Sequence, residues 1–339
     1  MRGLEALRRV ARWPRFRSER KALVLCYHKI HESCSDPRLC VAPSHFAEHL
    51  EVLRQHARPT KLQHLSRALL DEKLLDRSVV VTFDDGYADN YYNAKPLLER
   101  HGIPATVFVI TGYIGRSCGF WWDELDRLFL RSDALPEKLD LSVDGNKYHW
   151  QLDKTGDYNE EISRRRWRPG EEIRGSYRSL YEALWKLLRP MAEDERQRVL
   201  HELRGWAGAK EVVHPSHRPL SLKELVSLGQ GDLVEVGAHT VTHPALPRLS
   251  PDSQRDEISG SKSQLEEILD RPVASFSYPY GNLSQQTVGI VRKAGFSCAC
   301  STRAGAVSLS SERFQLPRVE VQDWDGDEFA GQLSRWFSN

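Results

Sequence analysis

Along the chain, apolar positions fall into short continuous runs separated by segments of helical period. "KALVLCYHKI" (21–30), "SVVVTFDD" (78–85) and "PATVFVITG" (104–112) are apolar or β-branched almost throughout. That is the pattern of strands buried on both faces. Between them, "SHFAEHLEVLRQH" (44–56) puts Phe46, Leu50 and Leu53 on one helical face, and "YYNAKPLLERHG" (91–102) ends on a glycine that closes a helix. The alternation returns later, with strands over "LVEVGAH" (233–239), "VASFSYPYG" (273–281), "FSCACST" (296–302) and "FQLPRVEV" (314–321). Helices are predicted over 251–270, 284–295 and 326–337. Repeated β-then-α units predict a parallel sheet with helices outside, open or closed into a barrel.

One segment breaks the rhythm. Residues about 119–217 are charged, rich in Trp and Arg, and mostly of helical period ("WWDELDRLFL", "RSLYEALWKLLRPM", "EDERQRVLHELRGWAG"). They read as a mostly helical insertion between two strands of a domain spanning 21–339. Residues 1–20 are a basic N-terminal segment. Residues 1–21 hold eight Arg or Lys against two Glu, with Leu4, Leu7, Val10 and Ala11 at helical spacing. Two readings stand: an amphipathic helix making peripheral contact with an anionic membrane or a partner, or a solvated charged end.

Composition adds little. The chain is 40% hydrophobic and 28% charged with a formal net charge of +1, as in ordinary globular proteins. Beyond residue 21 the balance is 40 basic against 45 acidic residues, so nucleic acid is not expected as a partner. No apolar run approaches the roughly 18 residues of a membrane span. The first residues lack the apolar core and small-residue cleavage site of a secretion signal, and the six cysteines show no CxxC spacing. A cytoplasmic setting with reduced thiols is the expectation.

The chemistry concentrates at strand ends, where α/β folds place their sites. Asp84 and Asp85 follow an apolar strand, and Gly86 lets the backbone turn. Adjacent side chains alternate along a strand, so one carboxylate can bind a cation while the other handles a proton; the plainer reading is that both cap the next helix. His239 and His243 follow another strand, four apart, as on one face of a helical turn. Two imidazoles and one carboxylate, with positions left for water, describe a catalytic Zn²⁺-like site.

"TFDDG" (82–86), "HTVTH" (239–243) and "YPYG" (278–281), in this order, resemble the polysaccharide deacetylases, the NodB-type family 4 carbohydrate esterases. "IPATVFVITGYIG" (103–115) is similar to that family's next strand. The resemblance covers roughly 21–118 and 218–325. It implies a distorted (β/α)7 barrel that removes N-acetyl groups from an amino-sugar-containing poly- or oligosaccharide with a divalent metal, zinc first, with cobalt or another ion as alternatives. By position, Asp84 is implied as the general base, Asp85, His239 and His243 as metal ligands, and Tyr280 as the backbone N–H donor to the oxyanion.

The sequence departs from the family pattern twice. No histidine follows His243, where a late-strand histidine commonly serves as the acid, and Ser277 stands where a base-orienting arginine is often found. His28 closes "LVLCYH" and is the candidate acid, since first and last strands of a closed barrel are neighbours. A core histidine is its plainer reading. Arg318 in "LPRVEV" is the candidate partner of Asp84, with an ordinary salt bridge as the alternative. Trp121 and Trp122 read as core or as a stacking surface for pyranose rings. Two rival functions are carried: a deacetylase or deformylase of a lipid- or nucleotide-linked sugar precursor, and an inactive carbohydrate-binding module.

Overall fold

The computed structural model describes residues 20–32, 39–116, 119–130, 135–143, 145–152, 172–209 and 218–338. The basic N-terminal segment therefore lies outside the described residues, except its last residue.

Seven parallel strands form one curled sheet: β1 (Ala22–Tyr27), β2 (Ser78–Phe83), β3 (Ala105–Val109), β4 (Val234–Ala238), β5 (Ser275–Ser277), β6 (Cys298–Cys300) and β7 (Val319–Glu320). Their order is β6-β5-β4-β3-β2-β1-β7, and a short strand, Arg58–Pro59, pairs with the start of β2. The stretch leading into β7 closes the ring. Leu316 bridges Cys300 of β6, and Val319 pairs with Leu25 of β1. This is a distorted (β/α)7 barrel.

The strands form where the sequence is continuously apolar because both faces are covered. Every residue of β1 and β2 is buried. Leu23, Leu25, Val79 and Val81 join the core beneath the outer helices. Ala22, Val24 and Val80 point the other way, and meet Leu62, Leu65 and Leu69. Those leucines lie on a helix, Leu62–Leu70, that the sequence reading does not contain. Helices α1 (Pro43–His56), α2 (Leu62–Leu70) and α3 (Lys95–His101) follow the first strands, and Gly102 ends α3 with φ of 63°.

The segment between β3 and β4 holds α4 (Trp121–Leu130), α5 (Tyr177–Leu188) and α6 (Glu193–Trp206). It also holds a three-stranded sheet, Lys138–Val143, Asn146–Leu152 and Glu172–Gly175, inside what the sequence predicted to be a mostly helical insertion. "KLDLSV" alternates exposed and buried residues along its length, a period of two inside a helical stretch. The segment has its own core around Trp121, Leu125, Leu128, Leu184 and Leu200. After it come α7 (Leu222–Leu228), α8 (Pro251–Leu269), α9 (Gln285–Lys293) and α10 (Gly326–Ser338). None of the described helices is long and apolar enough to cross a membrane. Cys40 is disulfide-bonded, and Cys26, Cys298 and Cys300 are free. The expectation of six reduced thiols therefore fails at Cys40.

Candidate active site

Strand β2 stops at Phe83, and the two aspartates occupy the turn beyond it. Asp85 and Gly86 are both left-handed, with φ of 72° and 76°. A Cβ on Gly86 would stand 3.1 Å from the Val109 side chain, so the turn needs glycine on steric as well as conformational grounds. The two carboxylates part at this turn, not by strand alternation alone. Asp84 faces β7, and Asp85 faces the loop after β4.

Arg318 grips Asp84 with both arms: Nη1 donates to Oδ1 at 2.8 Å and Nη2 to Oδ2 at 2.6 Å. Both side chains are buried. The guanidinium is fixed in turn by Nε donating to the Ser301 carbonyl at 2.9 Å and Nη2 to Ser277 Oγ at 3.0 Å. Ser277 thus receives an arginine from another strand where the family often carries one in place. Burial works against a charge on Asp84. Arg318 outweighs it, with help from His239, and holds the carboxyl well below the usual range. The same pairing raises Arg318 against its own burial.

His239 and His243 do not sit on a helical turn. They flank an irregular loop in which Thr240 and His243 have φ of 66° and 61°. This loop brings both Nε2 atoms to 3.6 Å from Asp85 Oδ1, too far for hydrogen bonds. His239 Nδ1 meets the Ser277 carbonyl at 2.8 Å. That oxygen only accepts, so Nδ1 carries the proton and Nε2 presents a bare lone pair. Burial keeps both imidazoles neutral, the state a ligand needs. Burial, with Asp84 and Asp123 adding to it, pushes the Asp85 carboxyl up. Three buried donors that face one another within 4.8 Å without bonding, around a carboxylate short of positive charge, fit one divalent cation.

The loop is held by a residue the sequence reading did not single out. Glu257 of α8 accepts from the Val241 and Thr242 N–H groups at 2.8 Å each, and from Thr242 Oγ1 at 2.6 Å. A lone Glu on a helix far along the chain carries no motif. Arg196 of α6, fully buried, adds a bond to the Thr242 carbonyl at 3.3 Å. Another unforeseen pair, buried Lys29 and partly buried Asp123, ties the short strand Lys29–Ile30 after β1 to α4.

The remaining candidates arrive at the same rim. Tyr280 has φ of 57°, and its ring lies 4.4 Å from that of His243. His28, half-buried between β1 and the two-residue strand Lys29–Ile30, brings a ring nitrogen within 4.8 Å of the Asp84 carboxylate and the Cys26 sulfur. It does not point into a sealed core. Its imidazole is nonetheless pushed down to about 4, first by burial and then by Arg318, His239 and Lys29, with Asp84 opposing. Trp121 and Trp122 are buried in the insertion's core, which leaves no open face for a sugar.

Fold and rim together define a class: a (β/α)7 barrel whose rim carries a two-histidine, one-aspartate donor set beside an arginine-paired carboxylate. The model of one family, polysaccharide deacetylase, matches residues 71–133 and 182–299, just over half of the 339 residues. The chain belongs to the polysaccharide deacetylase family. β1 with His28 and β7 with Arg318 lie outside the matched stretches, as does much of the insertion. A Bacillus subtilis protein, YxkH, provisionally named a polysaccharide deacetylase, is 22% identical over 91% of this chain and 74% of its own. The poly-β-1,6-N-acetyl-D-glucosamine N-deacetylase of Staphylococcus aureus is 20% identical over 94% of this chain and 83% of its own. Among solved structures, the Streptococcus pyogenes deacetylase PplD with acetate superposes at a TM-score of 0.58, with 19% identity over 93% of this chain and 99% of that one. IcaB from Ammonifex degensii superposes at 0.57, with 20% identity over 95% and 98%. These likenesses bear on the fold.

Proposed function

We propose that this polysaccharide deacetylase removes N-acetyl groups from an amino-sugar polymer or oligosaccharide, with a divalent metal held by Asp85, His239 and His243. The observation that carries the reading is the pairing of Asp84 with Arg318 directly beside that donor set. The Staphylococcus aureus relative, named for an N-acetylglucosamine polymer, supports the substrate class. Two imidazoles and one carboxylate suit Zn²⁺ first, with Co²⁺ as a workable substitute. Bound there, the ion supplies positive charge that polarises a carbonyl and lowers the pKa of water.

The chain's own residues do the rest. Asp84, kept ionised and oriented by Arg318, accepts the proton of the attacking water. The Tyr280 N–H meets the negative charge that develops on the acetamide oxygen. The departing amine needs a proton, and His28 stands within one water of Asp84 to bring it. With its imidazole near 4, His28 is neutral in the resting enzyme at pH 7. His28 then serves the departing amine as a relay. His28 receives the proton that Asp84 has taken, and passes it to the nitrogen.

Acetate release from N-acetylglucosamine oligomers tests the reading. Chelator-treated protein is expected to release none, and Zn²⁺ or Co²⁺ to restore release. Full turnover in metal-free protein, or none with the ion bound, contradicts it.

A further inference from the structure

A cavity of about 260 Å³ opens at the end of α5, where one of its lining residues, Arg189, reaches the Tyr280 ring. Trp185, Lys186 and Arg189 come to it from the end of α5, and Arg248 and Asn282 from loops of the barrel. Arg189 lays its guanidinium 3.9 Å over the Tyr280 ring and 5.1 Å from that of Trp185. A guanidinium held against aromatic rings spends no N–H donor on them and keeps its donors for other partners. Among the described residues, neither Arg189 nor Arg248 makes an ion pair with a carboxylate. Burial works against the Arg189 charge, as does the neighbouring Arg248, and the Tyr280 phenol opposes them only in part. The end of α5 accounts for one cation near helix carbonyls, but not for a second from the opposite wall.

Two guanidiniums without acidic partners, a flat indole and an open volume make a receptor for a negatively charged group. The Tyr280 ring under Arg189 also packs 4.4 Å from that of His243. We propose that this cavity is a substrate subsite for an anionic substituent, a carboxylate or a phosphate, carried by a sugar adjacent to the one deacetylated. The paired N–H groups of a guanidinium match either anion in a bidentate fashion. The subsite rests on the deacetylase reading for its role, though not for its ability to bind.

The test uses three probes on the metal-loaded protein: neutral N-acetylglucosamine oligomers, the same oligomers oxidised to a C6 carboxylate, and the same carrying a 6-phosphate. Wild type is expected to show a higher kcat/KM for an anionic probe than for the neutral one, and the better of the two anionic arms names the source of the charge. Arg248→Gln, an exposed substitution clear of Tyr280, is expected to lower the anionic-to-neutral ratio by about tenfold, equivalent to ~1.4 kcal/mol. Arg189→Gln should lower the ratio too. Equal kcat/KM for all three probes in wild type, or a ratio unmoved by Arg248→Gln, overturns the subsite. Calorimetric binding of the same probes separates the two claims. Tighter anionic binding with no acetate from any probe leaves the subsite standing and removes the deacetylase reading. Acetate from all three with equal efficiency does the reverse.

Discussion

Asp84 and Asp85 are neighbours with different work because each meets a different partner at the same turn. Asp84 lies in the fork of Arg318, and Asp85 lies between two imidazoles. The carboxylates and histidines at the ends of β2 and β4 were legible in the sequence as candidates, with helix capping by the two aspartates as the plainer reading. The direction of Arg318 was legible only as a guess, because a contact between Asp84 and a residue 234 positions later depends on ring closure. At this scale the sharpest prediction concerns His28. His28→Ala is expected to keep fold and metal but to slow amide deacetylation by about 10²–10⁴-fold, the usual worth of a positioned proton donor. An activated aryl acetate, whose leaving group needs no proton, should be hydrolysed nearly as fast as by wild type. Equal losses on amide and aryl ester would place the role of His28 elsewhere.

Among the elements, the barrel strands followed from continuous apolar runs, and their helices from period. What the sequence did not disclose was set by tertiary contact. The loop carrying the two histidines is not a helical turn. Its shape depends on Glu257 from α8 and on left-handed residues at Thr240 and His243. The last strand shrinks from the eight residues of "FQLPRVEV" to Val319–Glu320, because the stretch before it runs beside β6 and then crosses to β1. The three-stranded sheet of the insertion was hidden by the charge and helical period around it. Glu257→Gln tests the loop's dependence on α8. It keeps the side chain's length but weakens acceptance from two N–H groups and a hydroxyl. Metal affinity should fall by about 10–100-fold, as it does when partners that orient ligands are lost. An unchanged affinity measured by calorimetric titration would show that the loop holds its shape without the carboxylate.

Across the whole molecule, the end of β1 and α1 are tied to the last part of the chain through one buried histidine. His49 of α1 is fully buried, with Nδ1 3.2 Å from Tyr27 Oη and Nε2 2.7 Å from the Trp324 carbonyl. The carbonyl only accepts, so Nε2 carries the proton and Nδ1 accepts from tyrosine. The ring stacks 4.1 Å from that of Phe329 in α10. Burial lowers this imidazole from 6.5 to about 4. The unfolded chain therefore takes up the proton first as pH falls. Stability from this group is fully present above pH 6.5 and is lost between there and about 4, by up to ~3 kcal/mol. Denaturant melts over that window should fall more steeply for wild type than for His49→Gln; parallel curves would refute the assignment. The central claim, that this barrel deacetylates sugars through Asp84 beside a bound ion, is tested most directly by acetate release per bound metal in Asp84→Asn. The account predicts metal content equal to wild type and turnover lower by about 10²–10⁴-fold; wild-type turnover per bound ion would contradict it.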